Sequence, residues 1–293
     1  MTPLESYPEL AAAVGMKEIL LKREDLHPYG SHKGRSIPVM IDRYVAAGDR
    51  RFAISSSGNA ALAAALYVRE LNAAEKGPIE LDIFVGNHVA PHKLEKLKAL
   101  ADDSIRVLVK ERPLQALTQA IDEGARSLRQ STDDAALIGY ESLAKELAAE
   151  KKLASNGTAV FMGTSSGTTA QALAEYFSKN GLPIQVHIIQ TSSCHPMADA
   201  FETYEGPDER STAEAITDIT ARRKDTLVPL IKKTGGHGWV VTNDDIRLAQ
   251  DLAKKHAKVD LSPNGVLGIA GAIKAATADF NLPSIVICIV GGE

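Results

Sequence analysis

The chain has 293 residues, a length that fits two domains of ordinary size or one large α/β unit. Hydrophobic residues make up 44% and charged residues 24%, so we expect a globular protein with a sizeable core. The net charge of −4 argues against a protein that binds nucleic acid through a large basic face. The two cysteines, Cys194 and Cys288, exclude a disulfide scaffold and favour a reducing compartment.

We expect no secretion signal in the first residues, because neither a basic segment nor an apolar segment follows Met1. No stretch reaches the roughly 18 continuous apolar residues that a membrane helix needs. We therefore expect a cytoplasmic protein that has neither a membrane nor a nucleic acid as its partner.

Short apolar runs alternate with longer helical patterns along the chain. The spacing predicts strands at 17–22, 51–55, 81–85, 105–109, 158–162, 184–190 and 284–290. It predicts helices at about 36–48, 59–72, 91–101, 114–129, 142–151, 168–178, 244–256 and 264–278. Because strand and helix alternate, the predicted fold class is α/β with mostly parallel sheets and right-handed crossovers. The apolar run at 284–290 is typical of a strand with both sheet faces covered.

Several common chemical motifs are absent from the sequence, including the phosphate loop, the dinucleotide-binding turn and paired Cys-x-x-Cys. His88 and His92 are four residues apart, but Pro91 separates them and no third ligand follows at a suitable spacing, so we expect no metal site. Cys194 and His195 are adjacent, whereas catalytic cysteine–histidine pairs are normally distant in sequence.

The first candidate binding segment follows the predicted strand 158–162 and opens the next helix. It is rich in small and hydroxyl residues: Gly163, Thr164, Ser165, Ser166, Gly167 and Thr168. Successive backbone N–H groups can turn toward one point in such a loop, and the helix N-terminus adds partial positive charge. The segment therefore predicts a cradle for one phosphate group, with an ordinary helix cap as the alternative.

The second candidate segment lies between the predicted strand 51–55 and the helix that begins near residue 59. It contains Ser56, Ser57, Gly58 and Asn59. The same physics suits a carboxylate, and the Asn59 amide can donate to an oxyanion. A helix cap formed by serine or asparagine is again the alternative.

The third candidate is Lys33, which lies in the turn between the predicted strand 17–22 and the next helix. Ligands of α/β proteins bind beyond the carboxyl ends of the strands, and a desolvated lysine there, near Arg35, would be a nucleophilic amine. Most lysines are solvated surface residues, so the setting of Lys33 carries the argument. A phosphate cradle, a carboxylate cradle and an amine are what pyridoxal phosphate with a bound amino acid requires.

The chain resembles the fold type II pyridoxal-phosphate enzymes, the tryptophan synthase β family, over essentially its whole length. That family includes threonine synthase, threonine and serine dehydratases, and cysteine synthase. The matching motifs occur in family order: Thr2-Pro3-Leu4, Leu21-Lys22-Arg23-Glu24-Asp25-Leu26, Gly30-Ser31-His32-Lys33, Ser57-Gly58-Asn59, Gly139-Tyr140-Glu141-Ser142, the loop at 163–169, Ser262-Pro263-Asn264-Gly265 and Gly291-Gly292.

The resemblance implies a role for each candidate residue. Lys33 would bind pyridoxal 5′-phosphate as a Schiff base and then act as the catalytic base on the substrate Cα proton. Asn59 would bond to the cofactor ring oxygen, and Ser56, Ser57 and Gly58, with the Asn59 backbone, would bind the substrate carboxylate. The residues 163–168 would bind the cofactor phosphate.

The resemblance also implies two three-layer α/β/α domains with the cofactor between them. The smaller, mobile domain would span 36–148 and carry the carboxylate loop. The larger domain would consist of 1–35 and 149–293 and hold the phosphate. The partners implied are a small amino-acid substrate and a second copy of the chain in a homodimer.

One position departs from the family pattern. The family usually places a serine or threonine just before the final glycines, beside the pyridine nitrogen. Val290 stands there in this chain and cannot form a hydrogen bond, while Cys288 is a weak substitute. We therefore expect weak support of the ring nitrogen.

Three functions remain open from the sequence. The first is a lyase or transferase that acts on a small amino acid with a β- or γ-leaving group, similar to threonine synthase or threonine/serine dehydratase. The second is β-replacement of the cysteine-synthase type. The third is a non-catalytic protein that binds pyridoxal phosphate or an amino acid on this scaffold.

Overall fold

A computed structural model describes residues 1–74, 78–150, 153, 157–207 and 209–292. The chain divides into two compact units. Unit 1 consists of Met1–His27 and Tyr140–Glu293, and unit 2 is the continuous segment Pro28–Gly139. Each unit contains its own sheet and its own hydrophobic core.

The described strands are numbered in chain order. They are β1 Leu4–Ser6, β2 Glu18–Arg23, β3 Arg51–Ser55, β4 Glu80–Gly86, β5 Ile105–Lys110, β6 Arg126–Ser127, β7 Thr158–Gly163, β8 Ile184–Thr191, β9 Gly238–Val241 and β10 Ile285–Val290. Unit 1 holds a six-stranded sheet in the order β1-β2-β10-β7-β8-β9, in which β1 pairs antiparallel with β2 and the other pairs are parallel. Unit 2 holds a parallel sheet in the order β5-β4-β3-β6.

The described α-helices are also numbered in chain order. They are α1 Pro8–Ala13, α2 Lys33–Ala46, α3 Asn59–Ala73, α4 Pro91–Lys98, α5 Pro113–Asp122, α6 Ala135–Ala149, α7 Thr168–Lys179, α8 Lys224–Lys233, α9 Asn243–Leu252 and α10 Leu267–Thr277. Helices and strands alternate through most of the chain, so the predicted α/β fold class with mostly parallel sheets is confirmed.

The sequence of β10 is apolar throughout because the strand is buried on both faces. All six residues are buried, and they alternate between the two faces of the sheet. Ile285, Ile287 and Ile289 pack in one core cluster, whereas Val286, Cys288 and Val290 pack in another. The strand therefore contributes to the core on both sides of the unit 1 sheet.

Several predicted helices have different bounds in the structure. The helix predicted at about 36–48 runs from Lys33 to Ala46, so Lys33 opens the helix and does not lie in the turn before it. The helix predicted at 114–129 ends at Asp122, because Gly124 has a φ of 94° and the chain then forms β6. The helix predicted at 142–151 begins at Ala135 and ends at Ala149, and residue 151 lies outside the described residues. The helix predicted at 264–278 begins at Leu267. The one predicted at 244–256 is α-helical to Leu252 and continues as a π-helical turn over Ala253–Ala257.

The unit division also differs from the sequence-based domain boundaries. Residues 28–35 belong to unit 2, although we assigned them to the larger domain, and residues 140–148 belong to unit 1. The physical reason for the first difference is that Gly30 and Arg35 pack against α3 and α6 residues of unit 2. The mobility of the smaller domain remains a prediction.

No helix among the described residues is both long enough and apolar enough to cross a membrane.

A buried histidine lies in the core of unit 1, where it is held in the neutral form. His187 on β8 has no exposed surface, and its ring stacks on Phe161 with 4.2 Å between the centroids. Trp239 Nε1 donates to His187 Nδ1 at 3.2 Å, so His187 Nε2 carries the hydrogen and faces Gln185 Oε1 at 3.1 Å. Burial, and to a lesser degree the nearby His237 imidazole, lowers the pKa of His187 to about 3.

We expect His187 to make the protein sensitive to acid. The histidine pKa is about 6.5 in an unfolded chain. Between roughly pH 6.5 and pH 3, His187 is therefore protonated in the unfolded state and neutral in the folded state. Protonation of His187 therefore does not reduce the free energy of unfolding above pH 6.5. Between pH 6.5 and pH 3 it lowers that free energy by about 1.4 kcal/mol for each pH unit. Denaturant unfolding of wild type and His187→Gln at several pH values should give a smaller pH slope for the variant.

The exposed His92 provides the control, because His92→Gln removes a histidine without touching this core. Equal pH slopes for wild type and His187→Gln would contradict the assignment.

Candidate active site

Lys33 is the first residue of α2 and is half-buried. The turn before it begins at Gly30, whose φ of 80° places it in the left-handed region that favours glycine. The backbone N–H of Lys33 donates to the Ser31 hydroxyl at 3.2 Å, and Ser31 is fully buried. These contacts fix the backbone from which the lysine side chain extends.

The lysine turn lies beside the start of α3 within unit 2. A Cβ added to Gly30 would lie 2.9 Å from Leu62 Cδ2, so the turn and α3 are in close contact. Leu62 is in the first turn of α3, where its N–H donates to the Gly58 carbonyl at 3.1 Å. The structure therefore packs the turn that leads into Lys33 against the first turn of α3, the helix that follows the predicted carboxylate loop.

Helix α6 fixes the first turn of α2 from another side. A Cβ on Gly139 would lie 2.4 Å from both the Arg35 carbonyl oxygen and Ser36 Cα. The Ser36 hydroxyl donates to the Ala136 carbonyl at 2.8 Å. Since only glycine permits this approach, Gly139 helps to set the position of Lys33.

The loop at residues 56–58 leads from β3 into α3 and is half-buried along its length. The N–H of Gly58 donates to the Ser56 hydroxyl at 3.3 Å, and no side chain caps the helix. A Cβ on Gly58 would meet no atom within 4 Å, so there is open space beside the loop. Among the described residues, none bonds to the Asn59 amide, which fits its predicted role toward a ligand.

The loop that follows β7 in unit 1 has the shape expected of an anion cradle. Gly167 has a φ of 81° and precedes α7, whose first turn has no side-chain cap. A Cβ on Gly163 would lie 2.7 Å from Leu267 Cδ1, and one on Gly167 would lie 2.8 Å from Leu227 Cδ2. The positive φ at Gly167 favours glycine, and the N-terminus of the helix that follows is a favourable position for an anion.

The hydroxyls of this loop are already partly engaged. Thr164 donates to the Met162 carbonyl at 3.1 Å, and the Ser166 and Thr168 hydroxyls lie 3.0 Å apart. Ser165 Oγ accepts from the backbone N–H groups of Thr217 and Asp218, each at 3.1 Å. These bonds fix the conformation of the loop and tie it to the backbone at 217–218.

Sequence reasoning missed Gln190, which supports the same loop. This fully buried residue lies near the end of β8, and its Nε2 donates to the Thr164 carbonyl at 3.3 Å. Its Oε1 accepts from the N–H groups of Met197 and Ala198 at 2.8 and 2.9 Å. The signal available in the sequence was a glutamine directly after the apolar pair Ile188-Ile189 of β8.

Val290 is fully buried in the core of unit 1, and its side chain is on the same strand face as Cys288. Complete burial raises the pKa of the Cys288 thiol, which is therefore held protonated. A hydroxyl does occur near the final glycines, since Ser262 donates to the Gly292 carbonyl at 3.3 Å. Its oxygen also accepts from the Gly265 N–H at 3.0 Å.

The remaining chemical candidates from the sequence do not gain support. Among the described residues, no three metal-binding side chains gather into a cluster. Burial raises the pKa of the Cys194 thiol, with Asp218 as a smaller cause, which opposes a nucleophilic role. His195 Nδ1 instead lies 2.5 Å from Asp199 Oδ1.

A family model described as "Pyridoxal-phosphate dependent enzyme" matches residues 1–292. The chain belongs to this family. Its cofactor is pyridoxal 5′-phosphate, and the glycine positions at 163 and 167, with the uncapped start of α7, fit the phosphate of that group. The predicted family and cofactor are confirmed.

Known proteins are similar to this chain in sequence or in fold. The threonine synthase of Methanocaldococcus jannaschii is 24% identical over 93% of this chain and 69% of its own length. A pyridoxal 5′-phosphate-dependent aspartate racemase superposes with a TM-score of 0.83 at 17% identity, covering 100% of this chain and 90% of its own. The threonine deaminase isoform 2 of Solanum lycopersicum has a TM-score of 0.78 at 20% identity, with 100% and 84% covered. These structures confirm the predicted fold type.

We expect Gly139→Ala to disturb the turn that carries Lys33. The new methyl group would meet backbone atoms rather than a flexible side chain, so the free energy of unfolding should fall by about 1–3 kcal/mol. Denaturant unfolding measures this loss, and titration with pyridoxal phosphate should also detect weaker Schiff-base formation.

Gly86→Ala is the matched control in unit 2, because the nearest atom to its Cβ is Pro113 Cγ at 3.9 Å. Equal stability of the two variants would show that the α2–α6 contact tolerates a side chain.

Proposed function

We propose that the protein is a pyridoxal-phosphate-dependent lyase or transferase. Its substrate would be a small amino acid with a β- or γ-leaving group, as for threonine synthase or threonine/serine dehydratase. A threonine synthase among its relatives, 24% identical, supports this choice over the cysteine-synthase type. A cytoplasmic location and a homodimer are part of the same proposal.

The single observation that carries the proposal is the contact between Gly30 and Leu62. It supports the proposal because the turn that leads into Lys33 packs against the first turn of α3, a helix whose N-terminus has no side-chain cap, inside one unit. An amine nucleophile and a carboxylate-binding helix end are the two protein groups that an amino-acid substrate needs. A non-catalytic binding protein would have no use for the amine as a base.

Each predicted residue has a role in this proposal. Lys33 would hold the cofactor covalently and then carry the proton removed from the substrate Cα. Ser56, Ser57 and Gly58, with the N–H of Asn59, would bind the substrate carboxylate. The Asn59 side chain would bond to the cofactor ring oxygen. The phosphate would bind to Gly163, Thr164, Ser165, Ser166, Gly167 and Thr168.

The cofactor, when bound, supplies an electron sink that lets the substrate Cα lose its proton. This chain supplies the position of the reacting groups. The N–H groups of α3 orient the carboxylate, which fixes the Cα–H bond relative to Lys33, and such positioning contributes several kcal/mol when the geometry is good. The Lys33 amine accepts the Cα proton and can return a proton to a departing group.

Val290 distinguishes this site from the usual family pattern. Its side chain offers no hydrogen-bond donor or acceptor, and Cys288 is protonated and buried. We therefore propose that support of the pyridine nitrogen is weak in this protein.

We expect Lys33→Ala to abolish the visible absorbance of a Schiff base between the purified protein and pyridoxal phosphate. Lys98→Ala is the control, because Lys98 is an exposed lysine of α4 in the same unit. It should keep the band unchanged. A full band in Lys33→Ala, or a borohydride-reduced adduct on another lysine, would end this assignment.

We expect the leaving-group chemistry to appear as release of a 2-oxo acid or of inorganic phosphate. Quenched reactions should test serine, threonine, an amino acid with a γ-phosphate ester, and O-acetylserine with sulfide, with Lys33→Ala as the blank. Cysteine as the main product would support the β-replacement alternative. Formation of the D-enantiomer alone would indicate a racemase. The absence of any Cα–H exchange in deuterated water would favour a non-catalytic binding protein.

A further inference from the structure

An irregular segment of unit 1, residues 211–222, is tied to four separate parts of that unit by hydrogen bonds from its backbone; we name it the strap. In each bond a side-chain oxygen accepts from a strap N–H. The bonds are Ser211 to Ser193 Oγ at 3.3 Å, Thr212 to Asn243 Oδ1 at 2.9 Å, Ala215 to Asn264 Oδ1 at 2.9 Å, and Thr217 and Asp218 to Ser165 Oγ at 3.1 Å.

Ser165 differs from the other anchors because it also belongs to the phosphate loop. A serine hydroxyl has one donor hydrogen and two acceptor lone pairs. The N–H groups of Thr217 and Asp218 use both acceptor positions, so the hydrogen remains for donation. A phosphate at the start of α7 offers anionic oxygens that only accept, which suits this hydrogen.

We propose that Ser165 is a positioning residue that couples the cofactor phosphate to the strap. This inference rests on the proposed binding of the phosphate at 163–168. Ser165 donates to the phosphate and accepts from the strap, and a hydroxyl that donates to an anion becomes a better acceptor. The strap is therefore held more tightly when the phosphate is bound.

The coupling reaches the wall of a nearby cavity of about 420 Å³. The strap residue Ile219 is 79% exposed and lines this cavity together with His195 and Tyr204. A more firmly held strap gives that wall a fixed shape. The phosphate would thus act on the cavity through Ser165.

Hydrogen exchange followed by mass spectrometry tests the proposal on peptides that cover 211–222. Wild-type protein should be compared without cofactor, with pyridoxal phosphate, and with pyridoxal, which lacks the phosphate. We expect pyridoxal phosphate to slow exchange of the strap about two- to threefold, as a modest strengthening of two bonds implies, and pyridoxal to leave it unchanged.

Two serine variants complete the test at saturating cofactor. Ser165→Ala should show no slowing, although the anchors at Asn243 and Asn264 keep the strap in place. Ser193→Ala removes the hydroxyl that accepts from the Ser211 N–H and lies outside the phosphate loop, so it should retain the slowing.

The outcomes separate this inference from the proposed function. A normal Schiff-base band with no phosphate-dependent slowing in wild type would overturn the coupling and leave the site assignment intact. Equal slowing in Ser165→Ala and wild type would also overturn it. Absence of a Schiff-base band in wild type would overturn the site assignment and the coupling together.

Discussion

The site depends on how the helices of this chain begin, because the first turn of a helix leaves N–H groups without intrahelical partners. Helices α1, α4 and α5 begin with proline, which lacks one such group, and α9 begins with a capping box formed by Thr242 and Asp245. Helices α2, α3 and α7 have neither device. A missing cap alone does not mark a site, since α8 and α10 also lack one. The distinguishing feature is the run of small polar residues before α3 and α7, which leaves room for an anion.

Much of the fold could be predicted because strand and helix periods differ and the buried strands are short apolar runs. The predicted end of α5 was wrong because an apolar residue beyond the helix is buried in the core from a loop. Leu128 extends the apolar spacing of α5, yet it is buried from a loop position and its N–H donates to the Ala53 carbonyl. The unit boundaries could not be predicted either. They depend on contacts such as that between Gly139 and Arg35, which are far apart in sequence.

Part of the candidate site could be predicted from the sequence and part could not. The turns at 56–58 and 163–167 could be predicted because serine, threonine and glycine stand out between apolar elements. Their supporting bonds could not be predicted, because Gln190 is 26 residues from its partner Thr164 and Ser165 is 52 residues from Thr217. A single sequence does not indicate which distant residues form hydrogen bonds with each other. It also gave no sign that the Ser165 hydroxyl faces a backbone segment.

The position of β10 has a consequence for the order in which the protein forms during synthesis. This strand lies between β2 and β7, in the middle of the unit 1 sheet, although it is the last of the described strands in sequence. β2 leaves the ribosome long before residue 290 emerges, so it cannot pair with β10 until the last part of the chain has been synthesised. Unit 2 is continuous in sequence and can fold while the rest is still being translated, since domains generally fold as units. Unit 2 can therefore be completed before unit 1.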